Sequence, residues 1–286
     1  MILAYWKFIS RVSYGEYPGG FTLVPNMVQA TGMWTLFFIA LMQLSPIILS
    51  RVFPKWYKNL GEKKQHELPS YVASQFHHCA LTPLAWYVIY EDTLLPNYDN
   101  GMVDYKFFFS IAGPACTAYL LADTICFAAG QALKGLPEYF IHHIFTLWMI
   151  YALFHAPGRM YKFFPHLLAA DTCNIFFNLA WFLRSAGYRG SPVTSACEML
   201  FAIGFFFLRA INLATCMSLL FYHGETAIGP GRYSLLPIIF LQWYWFSKIF
   251  ATAFGLNGKK TKKEKKEEKK IAKDAKEKKE AVAKKD

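Results

Sequence analysis

The sequence predicts an all-α protein, a polytopic transmembrane helical bundle of about seven spans. Three observations carry that prediction. Hydrophobic residues make up 55% of the 286 and aromatic residues 18%, both above the usual apolar share of a soluble domain. Mean hydropathy is positive, at +0.21, even though the chain ends in a long polar, lysine-rich run. The apolar residues also gather into stretches of about 20, the length that carries a helix across the hydrocarbon core.

Residues 1–27 come first. Lys7 and Arg11 interrupt what would be the hydrophobic region of a signal peptide, so a cleavable one is not expected. Trp6 and Phe8 suit a short interfacial amphipathic segment instead. Seven spans follow, over residues 28–50, 70–90, 107–130, 137–155, 163–183, 194–222 and 234–254. The connections are short and carry the Pro, Gly, Asn and charge signals of loops. They leave no room for a soluble domain, and no internal repeat is visible. The chain thus divides into the interfacial segment, a first span with its loop (28–69), a helical bundle (70–257) and a tail (258–286).

Charge orients this plan. The loop after the first span holds Arg51, Lys55, Lys58, Lys63 and Lys64, whereas the next holds Glu91, Asp92, Asp99 and Asp104 against Lys106. Positive loops stay in the cytosol. Placing the first loop there brings Lys134, Arg184 and Arg189 to the same side, with Arg159 and Lys162 as the exception. The N-terminus then lies outside the cytosol and the tail inside. From Lys259 to Asp286 there are 14 Lys against 7 Asp and Glu, so +7 of the chain's +11 sits in the tail. A basic tail beside an oily body points to anionic headgroups as a partner, or to simple solvation, and not to nucleic acid.

The six cysteines are scattered and show no CxxC or metal spacing, so neither a disulfide framework nor a metal site is expected from them. Polar residues inside the spans are the stronger signal, because each costs several kcal/mol (about 3) unless it faces protein or a wet cavity. They are His77 and His78, Asp123, His142 and His143 with Thr146, Asp171 with Asn174 and Asn178, and Glu198, Arg209 and Asn212. Asp171, Asn174 and Asn178 stand at i, i+3 and i+7 and share a helix face. His142 and Thr146 share another. Glu198 and Arg209, eleven residues apart, fall nearly in line with Asn212 beyond, and suit a structural ion pair or snorkelling. His77 and His78 suit interhelical hydrogen bonding. Faced inward, the set would line a polar cleft open toward the cytosol, suited to a lipid headgroup with its chain in the bilayer. The aromatic runs 205–207 and 243–245 read as packing or lipid-facing surface. No pair of Gly/Pro-interrupted half-helices speaks for a transporter.

HHIFTL (His142 to Leu147), AADTCNIFFNLAWFLR (Ala169 to Arg184), LADTICF around Asp123 and FFFLRAIN around Arg209 together resemble the TLC-domain family over roughly residues 70–255. The resemblance implies a multi-span protein, mostly of the endoplasmic reticulum, connected with lipid synthesis, lipid sensing or membrane composition. Lys284, third from the end, forms an incomplete dilysine signal that agrees with that membrane. The ceramide synthases are one branch, transferring a fatty acyl group from acyl-CoA to a sphingoid amine. Here Asp171 follows Ala170 where that branch has His, the second acidic position is Asn or apolar, and no homeobox-like insertion is present. The chain is therefore closer to the plainer TLC-domain-containing proteins. The expected function is binding of a membrane lipid in an intramembrane cleft and a part in lipid homeostasis, with no resident cofactor. The alternative is an acyl-CoA-dependent N-acyltransferase. In it His142 or His143 would serve as general base or nucleophile, Asp171 or Asp123 would orient the imidazole, and acyl-CoA would be the cosubstrate.

Overall fold

In the computed structural model the described residues are 27–94, 105–155, 163–223, 232–233 and 235–253. Among them every regular element is a helix and no strand occurs. The helices are α1 (Met27–Val52), α2 (Pro54–Asn59), α3 (Gly61–Leu94), α4 (Tyr105–Asp123), α5 (Ala129–Leu133), α6 (Glu138–His155), α7 (Phe163–Ala169), α8 (Thr172–Ser185), α9 (Pro192–Gly204), α10 (Ala214–His223) and α11 (Leu235–Ala253). Two π-helical segments complete the order. Thr124–Ala128 joins α4 to α5, and Phe205–Leu213 joins α9 to α10.

Three continuous helical stretches among the described residues are long and apolar enough to cross a membrane by length and composition: Val28–Val52, Ile111–Leu133 and Pro192–Tyr222. Their outer faces are oily. Leu36, Phe37, Ile47 and Ile48 on α1, and Met199, Ile203 and Phe207 further on, are all exposed. Such surface would be an aggregation hazard in water and is ordinary in lipid. The interfacial segment, the acidic loop from residue 95 on, the basic pair Arg159 and Lys162, and the lysine-rich tail all lie outside the described residues.

Loop chemistry at the helix ends is conventional. Ser191 caps α9 by accepting from the Thr194 amide at 3.2 Å, with Pro192 at the first helical position. After α8 the chain turns through Gly187 at φ 93°. There the Tyr188 amide reaches back to the Leu183 carbonyl at 3.0 Å, satisfying an end carbonyl that a left-handed glycine exposes.

Neighbouring helices pack antiparallel, and their pairings fix the register. Tyr71 stacks on Trp181 at 4.2 Å, Ser74 meets Asn178, and His78 meets Asn174, so α3 runs against α8. Ser70 meets Asp123 and His77 meets Tyr119, so α3 also runs against α4. Phe177 and Phe201 pair α8 with α9. Gly204 allows that approach, since a Cβ there would stand 3.1 Å from the Cβ of Cys173. The main core gathers Phe38, Met42, Ala73, Ala112, Leu153, Phe163, Phe164, Cys216 and Leu220. The described chain divides into two compact units at Phe246/Ser247. The first holds the bundle. In the second, the end of α11 is marked by a Thr252 hydroxyl donating to the Lys248 carbonyl at 2.8 Å.

Two expectations are corrected. The stretch 163–183 is not one unbroken span, because α7 stops at Ala169 and the chain turns at Ala170 and Asp171 before α8. Glu198 and Arg209 are not partners either. Arg209 lies within the π-helical segment, where the wider turn breaks the arithmetic of eleven residues to three α-turns. Glu198 pairs with Arg184 at 2.9 Å, and Arg209 pairs with Asp171.

Candidate functional site

The first unit contains a partly open cavity of about 390 Å³ between α3, α4, α6, α7, α8, the second π-helical segment with α10, and α11. The antiparallel registers order its lining along one axis. At one end are Lys63, Glu67, Gln131, Tyr139 and Trp245. Around the middle are Ser74, His77, His78, His142, His143, Asp171, Asn174, Asn178 and Arg209. At the other end Met149, Ile150, Phe164, Leu167, Leu168, Leu213, Met217 and Ile238 present only apolar surface. From Lys63 to His78 along α3 is about 22 Å at 1.5 Å per residue.

The polar middle is a connected network. Arg209, 6% exposed, directs its guanidinium at Asp171 Oδ1 and places Nε 3.4 Å from the Ala170 carbonyl. Asp171 Oδ2 faces His78 Nε2 at 3.7 Å. The same Nε2 lies 3.1 Å from the Asn174 amide. On the other side of that ring, Nδ1 lies 3.1 Å from Ser74 Oγ, which accepts from Asn178 at 2.9 Å. Each residue of this network therefore has a polar partner, as burial in a low-dielectric interior requires.

A second group stands on the wall formed by α4 and α6. Ser70 donates to Asp123 Oδ1 at 2.6 Å, Asp123 Oδ2 faces His143 Nε2 at 3.7 Å, and His143 Nδ1 lies 3.0 Å from Thr124 Oγ1. Between the two groups stand His77 and His142. His77, 1% exposed, stacks on Tyr119, and its Nδ1 is buried with no hydrogen-bond partner among the described residues. His142 approaches Thr146 at 3.4 Å and the ring of Trp245 at 5.3 Å.

The structure thus brings together most of the residues singled out from the sequence. His77, His142, His143, Thr146, Asp171, Asn174, Asn178 and Arg209 all line the cavity. Asp123 does not line it but holds His143 and Ser70, which do. Asn212 has no place in the lining. The carboxylate expected to orient the double-His pair is Asp123 for His143, whereas Asp171 faces His78 from the other side.

Two residues escape a reading of the sequence. Trp245 is cavity wall and not outer surface. Gln242, wholly buried one turn before it, has neither amide atom partnered among the described residues. Its signal is a lone amide in an aromatic run, at i+4 from Ile238 and one turn from Trp245.

The arrangement of a double-His helix facing an Asp–Asn–Asn helix and a buried arginine agrees with a comparison against known families. The model for the TLC domain matches residues 67–251, about two thirds of the chain. The chain belongs to the TLC-domain family. This TLC-domain protein is accordingly an integral membrane protein, and the matched region contains every residue of both polar groups. No curated protein and no solved structure matches it.

Proposed function

We propose that this TLC-domain protein holds a membrane lipid in its cavity and acts in the lipid homeostasis of an internal membrane, the endoplasmic reticulum. The observation that carries the reading is the graded lining. The polar middle offers donors and acceptors to a headgroup or carbonyl, and one end offers only methyl, methylene and ring surface to a chain. At about 390 Å³ the cavity is the size of a small-ligand site, ample for a lipid headgroup and the first part of its chain.

Seven spans, with the N-terminus outside the cytosol and the lysine-rich tail inside, fit this proposal. Lys63 and Glu67 at the polar end belong to the basic α2–α3 region, so the mouth opens to the cytosol and the apolar end points into the bilayer. The tail then meets anionic headgroups.

The test is mass spectrometry of lipids that co-purify with the full-length protein. A specifically retained lipid, depleted when Asn178→Leu and Leu213→Trp alter the polar middle and the apolar end of the cavity, is the expected result. Only bulk phospholipid, in equal amount from wild type and variants, would overturn the proposal.

One observation favours acyl transfer as a second reading. His142 and His143 both reach the cavity, and His143 has a carboxylate at 3.7 Å. The histidine would act as general base or acyl acceptor, with acyl-CoA entering at the basic mouth. Incubation with long-chain acyl-CoA and amine acceptors decides it. A new acylated product absent from the His142→Ala/His143→Ala double variant supports catalysis, and an unaltered bound lipid supports binding alone.

A further inference from the structure

His77, His78 and Asp171 form a cluster that lipid binding leaves unexplained. Each offers one ligand atom on the cavity wall, and those atoms all lie within 4.8 Å of one another. Both histidines are almost wholly buried. His77 carries a buried ring nitrogen with no partner among the described residues, in a ring whose plane is set by stacking on Tyr119 at 4.3 Å. His78 is held from behind by Ser74 on Nδ1, so Nε2 faces Asp171 at 3.7 Å and the Asn174 amide at 3.1 Å, a contact that a bound ion would replace. Asp171 divides its oxygens, with Oδ1 to the Arg209 guanidinium and Oδ2 to His78.

We propose that His77, His78 and Asp171 bind a divalent transition-metal ion of the zinc class. Two imidazoles and one carboxylate are an established ligand set for that ion, with bonds of about 2.0–2.2 Å. Three protein ligands on a cavity wall leave the remaining position open to whatever fills the cavity, the pattern of catalytic and not of structural zinc. Ser74 and Arg209 act as the outer groups that hold His78 and Asp171 in orientation. The nearby guanidinium opposes any cation. The two imidazoles therefore set the choice, favouring an ion with strong imidazole affinity over calcium or magnesium, which seek oxygen ligands. No cysteine takes part, so cysteine spacing carries no trace of the site.

The inference stands apart from the lipid reading, and the two are measured separately. The full-length protein is purified through a tag without histidine, and its metal content is read by inductively coupled plasma mass spectrometry. It is read again after loading with Zn²⁺ or Co²⁺ and gel filtration. One equivalent of Zn²⁺ per chain is expected, with a visible cobalt absorption from the Co²⁺-loaded wild type. Ser74→Ala is expected to weaken Zn²⁺ about 10- to 100-fold. His77→Ala and Asp171→Asn should abolish binding, while His66→Ala, exposed on α3 and outside the cavity lining, should retain it. A wild-type protein that takes up neither ion overturns the site, and so does stoichiometric Zn²⁺ retained by both His77→Ala and Asp171→Asn. Lipid retained by metal-free protein leaves the lipid reading intact.

Discussion

Asp171 and Arg209 show at the residue scale how a charged pair survives inside an apolar bundle. The carboxylate meets the guanidinium through one oxygen and faces His78 through the other, while Arg209 also reaches the Ala170 carbonyl. Breaking such a pair by removing one member leaves a buried charge unmatched. Asp171→Asn should therefore destabilise the protein by about 3–5 kcal/mol, read as a lowered thermal midpoint in detergent. Replacing both partners, Asp171→Leu with Arg209→Met, should recover most of that loss. A double variant no better than Asp171→Asn would show that the network around them, and not the unpaired charge, sets the cost. Gln242 makes the opposite prediction. Its amide is wholly buried and unpartnered among the described residues, so Gln242→Leu should stabilise by roughly 1–3 kcal/mol. An unchanged midpoint would mean that a bound molecule satisfies the amide. Spacing alone exposes Asp171, Asn174 and Asn178, because i, i+3 and i+7 name one helix face. Gln242 is not legible in the same way, since nothing in its neighbours indicates which way a lone amide among aromatic residues points.

Helices adjust these residues by departing from ideal α geometry at two places. Asp123 immediately precedes the π-helical segment Thr124–Ala128, and Arg209 lies inside Phe205–Leu213. Each insertion widens a turn and re-aims the side chains beyond it. That is why Arg209 meets Asp171 and Glu198 meets Arg184, against the expectation from counting eleven residues. The break between α7 and α8 has a similar effect, placing Asp171 at a turn where its carboxylate can meet both α3 and the second π-helical segment. Helix contact also gives a paired prediction for glycine. At Gly130 an added methyl would stand in open space, whereas at Gly204 it would meet Cys173. Gly130→Ala should gain up to about 1 kcal/mol from helix propensity. Gly204→Val should lose about 1–3 kcal/mol by overpacking α8 against α9. Equal shifts in thermal midpoint for the two variants would contradict the close approach at Gly204.

For the molecule as a whole, the proposed seven-span plan puts the two termini on opposite faces of the membrane. Epitope tags in sealed microsomes test it. The C-terminal tag should be cleaved by added protease and the N-terminal tag protected, and cleavage of both or of neither would remove the odd span count. Hydropathy alone supports three spans firmly. Of the remaining stretches, those on α3 and α6 are diluted by the paired histidines of the cavity, and 163–183 is broken at Ala170 and Asp171 into two helices each too short to span alone. The features that weaken these stretches as membrane-spanning candidates are the ones that mark them as walls of a site.

Membrane residence and helical class were settled by the sequence itself, because apolar length and composition are local properties and the bilayer demands an internally hydrogen-bonded backbone. The motifs around His142, Asp171, Asp123 and Arg209 marked the family on the same local terms. Only the tertiary structure decided the partners. His78 meets Asp171 across 93 positions of chain, His143 meets Asp123 on the opposite wall, and Trp245 closes against His142. Those meetings depend on antiparallel register, two π-helical turns and one broken helix. Each of these changes where a side chain points without changing how oily its segment is.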